Sequence, residues 1–203
     1  MSESEFVDVD GGRLFHVRDG EGPAVVLIHG APTLDHRMWA DQVAPLARSH
    51  TVVRYDLRGY GRSSLPIDPY RHCDDLASLI SGLDLDRAVL GGMSFGAAVG
   101  PTCWPRSTRW VGRTRAGTSR TATPARGPRP RRWTGSAKST FPSLVITGDR
   151  DVLDVRMIGD RVADSVRNAT RVVLSNVGHS PNMEDPASFN RACLDFLEHL
   201  GDN

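Results

Sequence analysis

Leu90-Gly91-Gly92-Met93-Ser94-Phe95-Gly96-Ala97-Ala98 is the stretch on which the reading of this 203-residue chain turns. The residues up to Leu90 read as the end of a buried strand, and the small residues after Gly96 continue as a helix. Gly92 to Gly96 fits G-x-S-x-G, the spacing of a serine held on a tight strand-to-helix turn. Such a turn strains the serine's backbone, and glycines two residues to either side let neighbouring main chain pass without a Cβ in the way. The N-terminal N–H groups of the helix point toward the serine, which suits a site where negative charge develops. A glycine-rich turn containing serine also arises by chance. The pentapeptide therefore counts only with its strand-before, helix-after setting and with what lies elsewhere.

Upstream, Cys73 to Leu83 sets Leu76, Leu79, Ile80 and Leu83 on one helical face. Thr51 to Tyr55 reads as a strand, and Met38 to Ala47 has helical spacing through Trp39, Val43 and Leu46. Ala24-Val25-Val26-Leu27-Ile28 is a continuous apolar run, the mark of a strand buried on both faces of a parallel sheet. Residues 5–20 alternate apolar and polar about Gly11-Gly12, which predicts an antiparallel hairpin. Downstream, Ser143 to Gly148 is another buried strand, Val155 to Val166 a helix, Thr170 to Leu174 a last strand and Pro186 to Leu200 an amphipathic closing helix. Strands alternating with helices predict an α/β fold: a mostly parallel open sheet with helices on both faces.

Between Arg87 and Gly148 there is no Asp or Glu, and the stretch 101–140 holds ten of the chain's 25 Lys and Arg. In that stretch Val111 is the one branched-aliphatic residue, and Met and Phe are absent. It carries too few apolar side chains to build a core of its own. Residues 1–100 and 141–203 thus read as two parts of one core, with 101–140 as an irregular basic segment between them. Cys73, Cys103 and Cys193 are in no metal-ligand spacing and read as free thiols of a reducing compartment. With no apolar run of membrane-spanning length and no leader pattern at Met1 to Glu5, a cytoplasmic protein is expected. Composition leaves the oligomeric state open.

Ser94, Asp151 and His179 each fall just past the end of a predicted buried strand. In an open parallel sheet those ends share one edge, where sites form. A serine hydroxyl becomes a useful nucleophile when an imidazole takes its proton, and His179 suits that task because histidine titrates near neutrality. Asp151 would hold the ring's tautomer and stabilise the imidazolium. The N–H groups of Phe95 and Ala31 would form the oxyanion hole, Pro32 having none to give. His29 and Gly30 would support that loop from behind, and Asp56 and Arg58 would pin the loop after their strand. No histidine pair at helical spacing and no Cys–His cluster points to a metal.

Taken together, these pieces resemble the α/β-hydrolase-fold enzymes. The likeness is carried by His29-Gly30, by Tyr55-Asp56-Leu57-Arg58-Gly59-Tyr60-Gly61-Arg62-Ser63, by the serine turn, by Gly148-Asp149-Arg150-Asp151, and by Gly178-His179 with Met183-Glu184-Asp185-Pro186. Within that family the chain is most similar to small cofactor-free esterases and enol-lactonases. The resemblance implies an acyl-enzyme on Ser94, a small-molecule ester or lactone substrate and no cofactor. It assigns the acid to Asp151, the last residue of Gly-x-x-Asp, with Asp149 as the other candidate. Serine at position 94 sets the chain apart from the dehalogenase and epoxide-hydrolase branches, which place Asp there.

Family members continue past the serine helix with a further strand and a helical cap. Here 56 residues separate Ser94 from Asp151, and the basic segment stands where the cap would be. Neighbouring strands lie about 4.8 Å apart, so a lost strand is expected either to displace Asp151 from Ser94 by about that much or to require the gap to close some other way. A catalytically impaired relic of the fold is therefore the alternative reading, and binding of a polyanion such as nucleic acid through the basic segment a more remote one. The composition of 101–140 matches out-of-frame translation of GC-rich DNA. Translating the coding DNA of that segment in the other two frames is expected to yield apolar residues at helical spacing; two frames without such periodicity would reject the frameshift.

Overall fold

The computed structural model describes residues 3–102 and 142–201. Strands β1 (Glu3–Val9) and β2 (Gly12–Asp19) form the hairpin, with Gly11 at the turn in the left-handed region (φ 70°). They are followed by β3 (Ala24–Ile28), a short 3-10 turn (His36–Trp39), α1 (Ala40–Leu46), β4 (Thr51–Tyr55), α2 (His72–Gly82), β5 (Ala88–Gly92) and α3 (Phe95–Thr102). After residue 141 come β6 (Ser143–Gly148), α4 (Leu153–Ser165), β7 (Ala169–Leu174), α5 (Pro181–Glu184) and α6 (Pro186–Gly201). From residue 103 on, the basic segment lies outside the described residues.

The sheet order is β1-β2-β4-β3-β5, antiparallel through β1, β2 and β4 and parallel from β4 through β3 to β5. The strand β3 explains the layering, because all five of its residues are buried. Ala24, Val26 and Ile28 face a core shared with Val53 and Tyr55 of β4, Leu76 and Leu79 of α2 and Val99 of α3. Val25 and Leu27 face the other way, onto Met38, Trp39, Leu46 and Leu197 of α6. Alternate side chains of one apolar strand thus enter two cores, and each core needs its own helices.

The α/β fold is as expected, with one added detail and one correction. Among the described residues the main ladder runs as far as β5, and β6 and β7 pair in parallel as a two-stranded ladder. In addition, Cys73 is disulfide-bonded rather than free, which removes the argument from thiols for a reducing compartment, whereas Cys193 is free. Burial pushes the Cys193 thiol up to about 12. No helix of the described residues is long and apolar enough to cross a membrane.

A buried ion pair braces the N-terminal half. Arg58 donates through Nε and Nη2 to the two carboxylate oxygens of Asp75 (2.9 and 2.6 Å) and through its Nη atoms to the carbonyls of Gly11 and Asp10 (3.0 and 2.7 Å). With the two side chains 3% and 5% exposed, removing either partner leaves a charge that water cannot reach. Asp75→Ala is expected to lose about 3–5 kcal/mol of stability. Urea denaturation measures it, and a variant with the unchanged midpoint would show the pair to be dispensable.

Candidate active site

Close main-chain approach builds the serine turn. Ser94 has φ 51°, a left-handed conformation that costs a non-glycine residue about 1–3 kcal/mol and persists only where the surroundings enforce it. A Cβ on Gly92 would lie 2.5 Å from the carbonyl carbon of Gly96, and one on Gly96 would lie 2.6 Å from the carbonyl oxygen of His29. Neither neighbour is a flexible side-chain end, so both positions exclude every other residue. The glycines let α3 start directly against the end of β3, and the Met93 N–H donates to Ile28 O (3.2 Å) to close the contact.

The acid and the imidazole come from two loops zipped together by backbone. Asp149 N–H donates to Leu174 O (3.0 Å) and Arg150 N–H to Val177 O (2.9 Å), while Arg150 Nη2 reaches Asn176 Oδ1 (2.6 Å). A Cβ on Gly148 would sit 2.5 Å from the Val177 carbonyl carbon, so only glycine allows this approach. Adjacent pairing of β6 and β7 puts both loops at the same sheet end.

Ser94, Asp151 and His179 meet there. His179 Nε2 lies 3.1 Å from Ser94 Oγ, and His179 Nδ1 lies 2.9 Å from Asp151 Oδ2. With Nδ1–H donating to the carboxylate, Nε2 is left to accept from the serine hydroxyl. Of the two expected outcomes, displacement of Asp151 or closure of the gap, the structure shows closure, although among the described residues the two ladders share no strand pairing. Asp151 Oδ1 also accepts from Val152 N–H (2.7 Å), and its side chain is 5% exposed against 45% for His179. A sheltered carboxylate thus orients a ring that is itself half-exposed. Asp149 is not the ring's partner in this arrangement, and its Oδ1 is buried without a hydrogen bond.

Phe95 opens α3, so its N–H belongs to the first helical turn and has no intrahelical acceptor to serve. Its ring meets the edge of His72 at 5.3 Å. Ala31 follows β3 on the strand next to β5, and the Ala31–Pro32 peptide is cis. Gly30 donates its N–H to Met38 Sδ (3.4 Å). His29 is fully buried; its Nε2 accepts from Leu57 N–H (2.9 Å), which leaves Nδ1–H to donate to Gly30 O (2.6 Å). Burial holds its pKa below the ordinary value, so it is a neutral tie between two loops rather than a base. Among the described residues Asp35, His36 and Asp56 form a group that could hold a metal, but it is internally engaged: Arg37 occupies Asp35, and His36 Nδ1 bonds Asp56 Oδ1 (2.7 Å).

Reading the sequence missed the short helix α5 and its buried Asn182, whose Nδ2 donates to Met38 O (2.9 Å) and whose carbonyl accepts from Gln42 Nε2 (2.9 Å). The signal was Pro181 after Ser180, a helix start. Its tertiary partners, 140 residues away along the chain, carry no such signal.

Residues 25–108 match the model of the Alpha/beta hydrolase family. The chain is 40% identical over 107 residues to a fluoroacetate dehalogenase of Burkholderia sp, covering 48% of this chain and 34% of that protein. It is 38% identical over 93 residues to an epoxide hydrolase of Caballeronia sordidicola, covering 42% of this chain and 28% of the other. The chain spans about a third of the length of these curated relatives. Among solved structures, the enol-lactonase of Burkholderia xenovorans superposes with a TM-score of 0.76 at 23% identity, over 96% of this chain and 100% of that one. That likeness is one of fold.

Asp56 fastens the loops beside the site. Its Oδ1 accepts from His36 N–H (2.8 Å) and its Oδ2 from Arg62 N–H (2.9 Å). Burial alone would raise its pKa, but the His36 ring and these N–H groups outweigh it and hold the carboxyl below the usual range. A depressed carboxylate adds stability that is complete above its unfolded value, about pH 4, and is lost as pH falls through the lower folded value. Asp56→Asn is expected to be less stable than the parent at pH 7, with the gap narrowing as the pH drops below about 4. Urea midpoints across that range check it; a gap independent of pH would contradict the charge-based account.

Proposed function

We propose that this chain, which has the α/β-hydrolase fold, is a serine hydrolase that cleaves a small carboxylic ester or lactone through an acyl-enzyme. The observation that carries the reading is the pair of contacts of His179, 3.1 Å to Ser94 Oγ and 2.9 Å to Asp151 Oδ2, around a serine held in a strained turn. Both lie within the reach a proton transfer requires.

In this mechanism Ser94 Oγ attacks the acyl carbonyl as its proton passes to His179 Nε2. Asp151, bonded to Nδ1–H, stabilises the imidazolium that forms. The oxyanion is received by the N–H groups of Phe95 and Ala31, and loss of one such donor costs about 2.7–4 kcal/mol in the transition state. Collapse expels the alkoxide, which takes the proton from Nε2. A water then gives its proton to Nε2 as it attacks the acyl carbon, and Ser94 leaves with that proton. His29 and Gly30 act behind the oxyanion loop. No step calls on a cofactor. Serine rather than Asp at position 94 favours this chemistry over that named for the dehalogenase and epoxide-hydrolase relatives.

Hydrolysis of p-nitrophenyl acetate or butyrate by the parent and by Ser94→Ala tests the reading. The variant is expected to lose at least about 1,000-fold in kcat. Equal rates for the two proteins would refute it and leave a hydrolase scaffold without a working centre.

A further inference from the structure

We propose that Glu184 is a positioning residue for His179: its carboxylate clamps the two peptide N–H groups that flank the histidine and so fixes where the imidazole stands. The clamp itself is geometric, and only its kinetic consequence rests on the proposed hydrolase function. Glu184 Oε2 accepts from Gly178 N–H (2.7 Å) and Oε1 from Ser180 N–H (2.8 Å). One side chain thereby holds the main chain immediately before and immediately after the residue that carries the ring.

Helix capping explains only half of this. A Glu reaching back to the N–H at the start of its own helix is a familiar way to satisfy an orphan donor, and Ser180 occupies that place ahead of α5. Gly178 lies outside the helix, on the far side of His179, where capping requires nothing. A Cβ at Gly178 would come 3.0 Å from Oε2 and 3.2 Å from Oε1, so glycine at that position makes room for the carboxylate.

The ring needs such a device because little else holds it. Its side chain is 45% exposed, so its placement depends on two hydrogen bonds of its own and on the backbone beneath. A four-residue helix has no stability of its own, so the clamp must be anchored elsewhere. Asn182, fully buried, supplies the anchor through its bonds to Met38 O and Gln42. Met38 in turn accepts the Gly30 N–H through its sulfur, so the element that fixes Glu184 also holds the loop of Ala31. Glu184 itself is exposed and its bonds compete with water; their effect comes from charge and from two-sided geometry.

Glu184→Ala and Glu184→Gln test the inference by steady-state kinetics with p-nitrophenyl butyrate and by amide and imidazole NMR. Glu184→Ala, which lacks both acceptors, is expected to lower kcat about 10- to 100-fold with KM changed less than about twofold, since a shift of about 1 Å at a reacting group costs that much. Glu184→Gln keeps one oxygen acceptor and should fall between. The Gly178 and Ser180 amide protons are expected upfield of their parent positions in Glu184→Ala, and the His179 ring resonances displaced and broadened. Unchanged kcat in folded Glu184→Ala, or a loss that merely follows the unfolded fraction seen by circular dichroism, would overturn the positioning role. A parent protein without Ser94-dependent turnover would refute the hydrolase reading alone. The NMR arm would still decide the clamp, because resonances of residues 178–180 unmoved by Glu184→Ala overturn it.

Discussion

The imidazole of His179 joins two ladders that, among the described residues, share no strand pairing. Ser94 stands at the end of β5 in the five-stranded sheet, whereas Asp151 and His179 stand beyond β6 and β7 in the two-stranded one. A contact of 3.1 Å across that division demands that the two bodies be fixed to within a fraction of an ångström. The fastening is done by the C-terminal helices. Leu197 and Phe189 of α6 pack into the core of Met38, Trp39 and Leu46, Asn190 Nδ2 donates to Asp41 O (2.9 Å), and Asn182 docks α5 on Met38 and Gln42. Apolar burial holds α6 to the larger sheet, and directional buried bonds set its register.

Polar residues at this edge divide into those that face solvent and those that hold loops. His29, Asp56 and Arg58 are buried and spend their hydrogen-bonding capacity on main-chain groups and on the side chains of His36 and Asp75. Burying such groups is tolerable only because they are paired. At the same edge the turns of Gly92, Gly96 and Gly148 admit main-chain approaches that no side chain could share. The half-exposed ring of His179 is the exception, held by hydrogen bonds and by the backbone beneath it more than by surrounding bulk.

Much of this is legible in the residues themselves. The uninterrupted apolar run of β3 announces burial on both faces, and the Leu76, Leu79, Ile80 and Leu83 stripe announces the face of α2 that meets the core. Ser94, Asp151 and His179 stand out as candidates because each polar residue follows an apolar strand. Less visible are the residues whose meaning depends on a distant partner. Glu184 can be seen as part of a motif, but nothing nearby says that both of its oxygens are taken by the neighbours of a histidine. Asn182 and Gln42 are unremarkable in composition, yet they form a buried lock. The disulfide of Cys73 likewise escapes spacing arguments.

By itself, the sequence determined the alternation of strands and helices, the strained serine turn and the order of the polar residues at the strand ends. These follow from local periodicity and from sterics over a few residues, which the chain carries wherever it goes. Only the tertiary structure decided that, among the described residues, β6 and β7 pair apart from the five-stranded ladder, that Asp151 rather than Asp149 meets the ring, and that His179 reaches Ser94 from one ladder to the other. Distances between residues 85 positions apart are set by how helices pack between sheets, a property of the assembled core that no local pattern encodes.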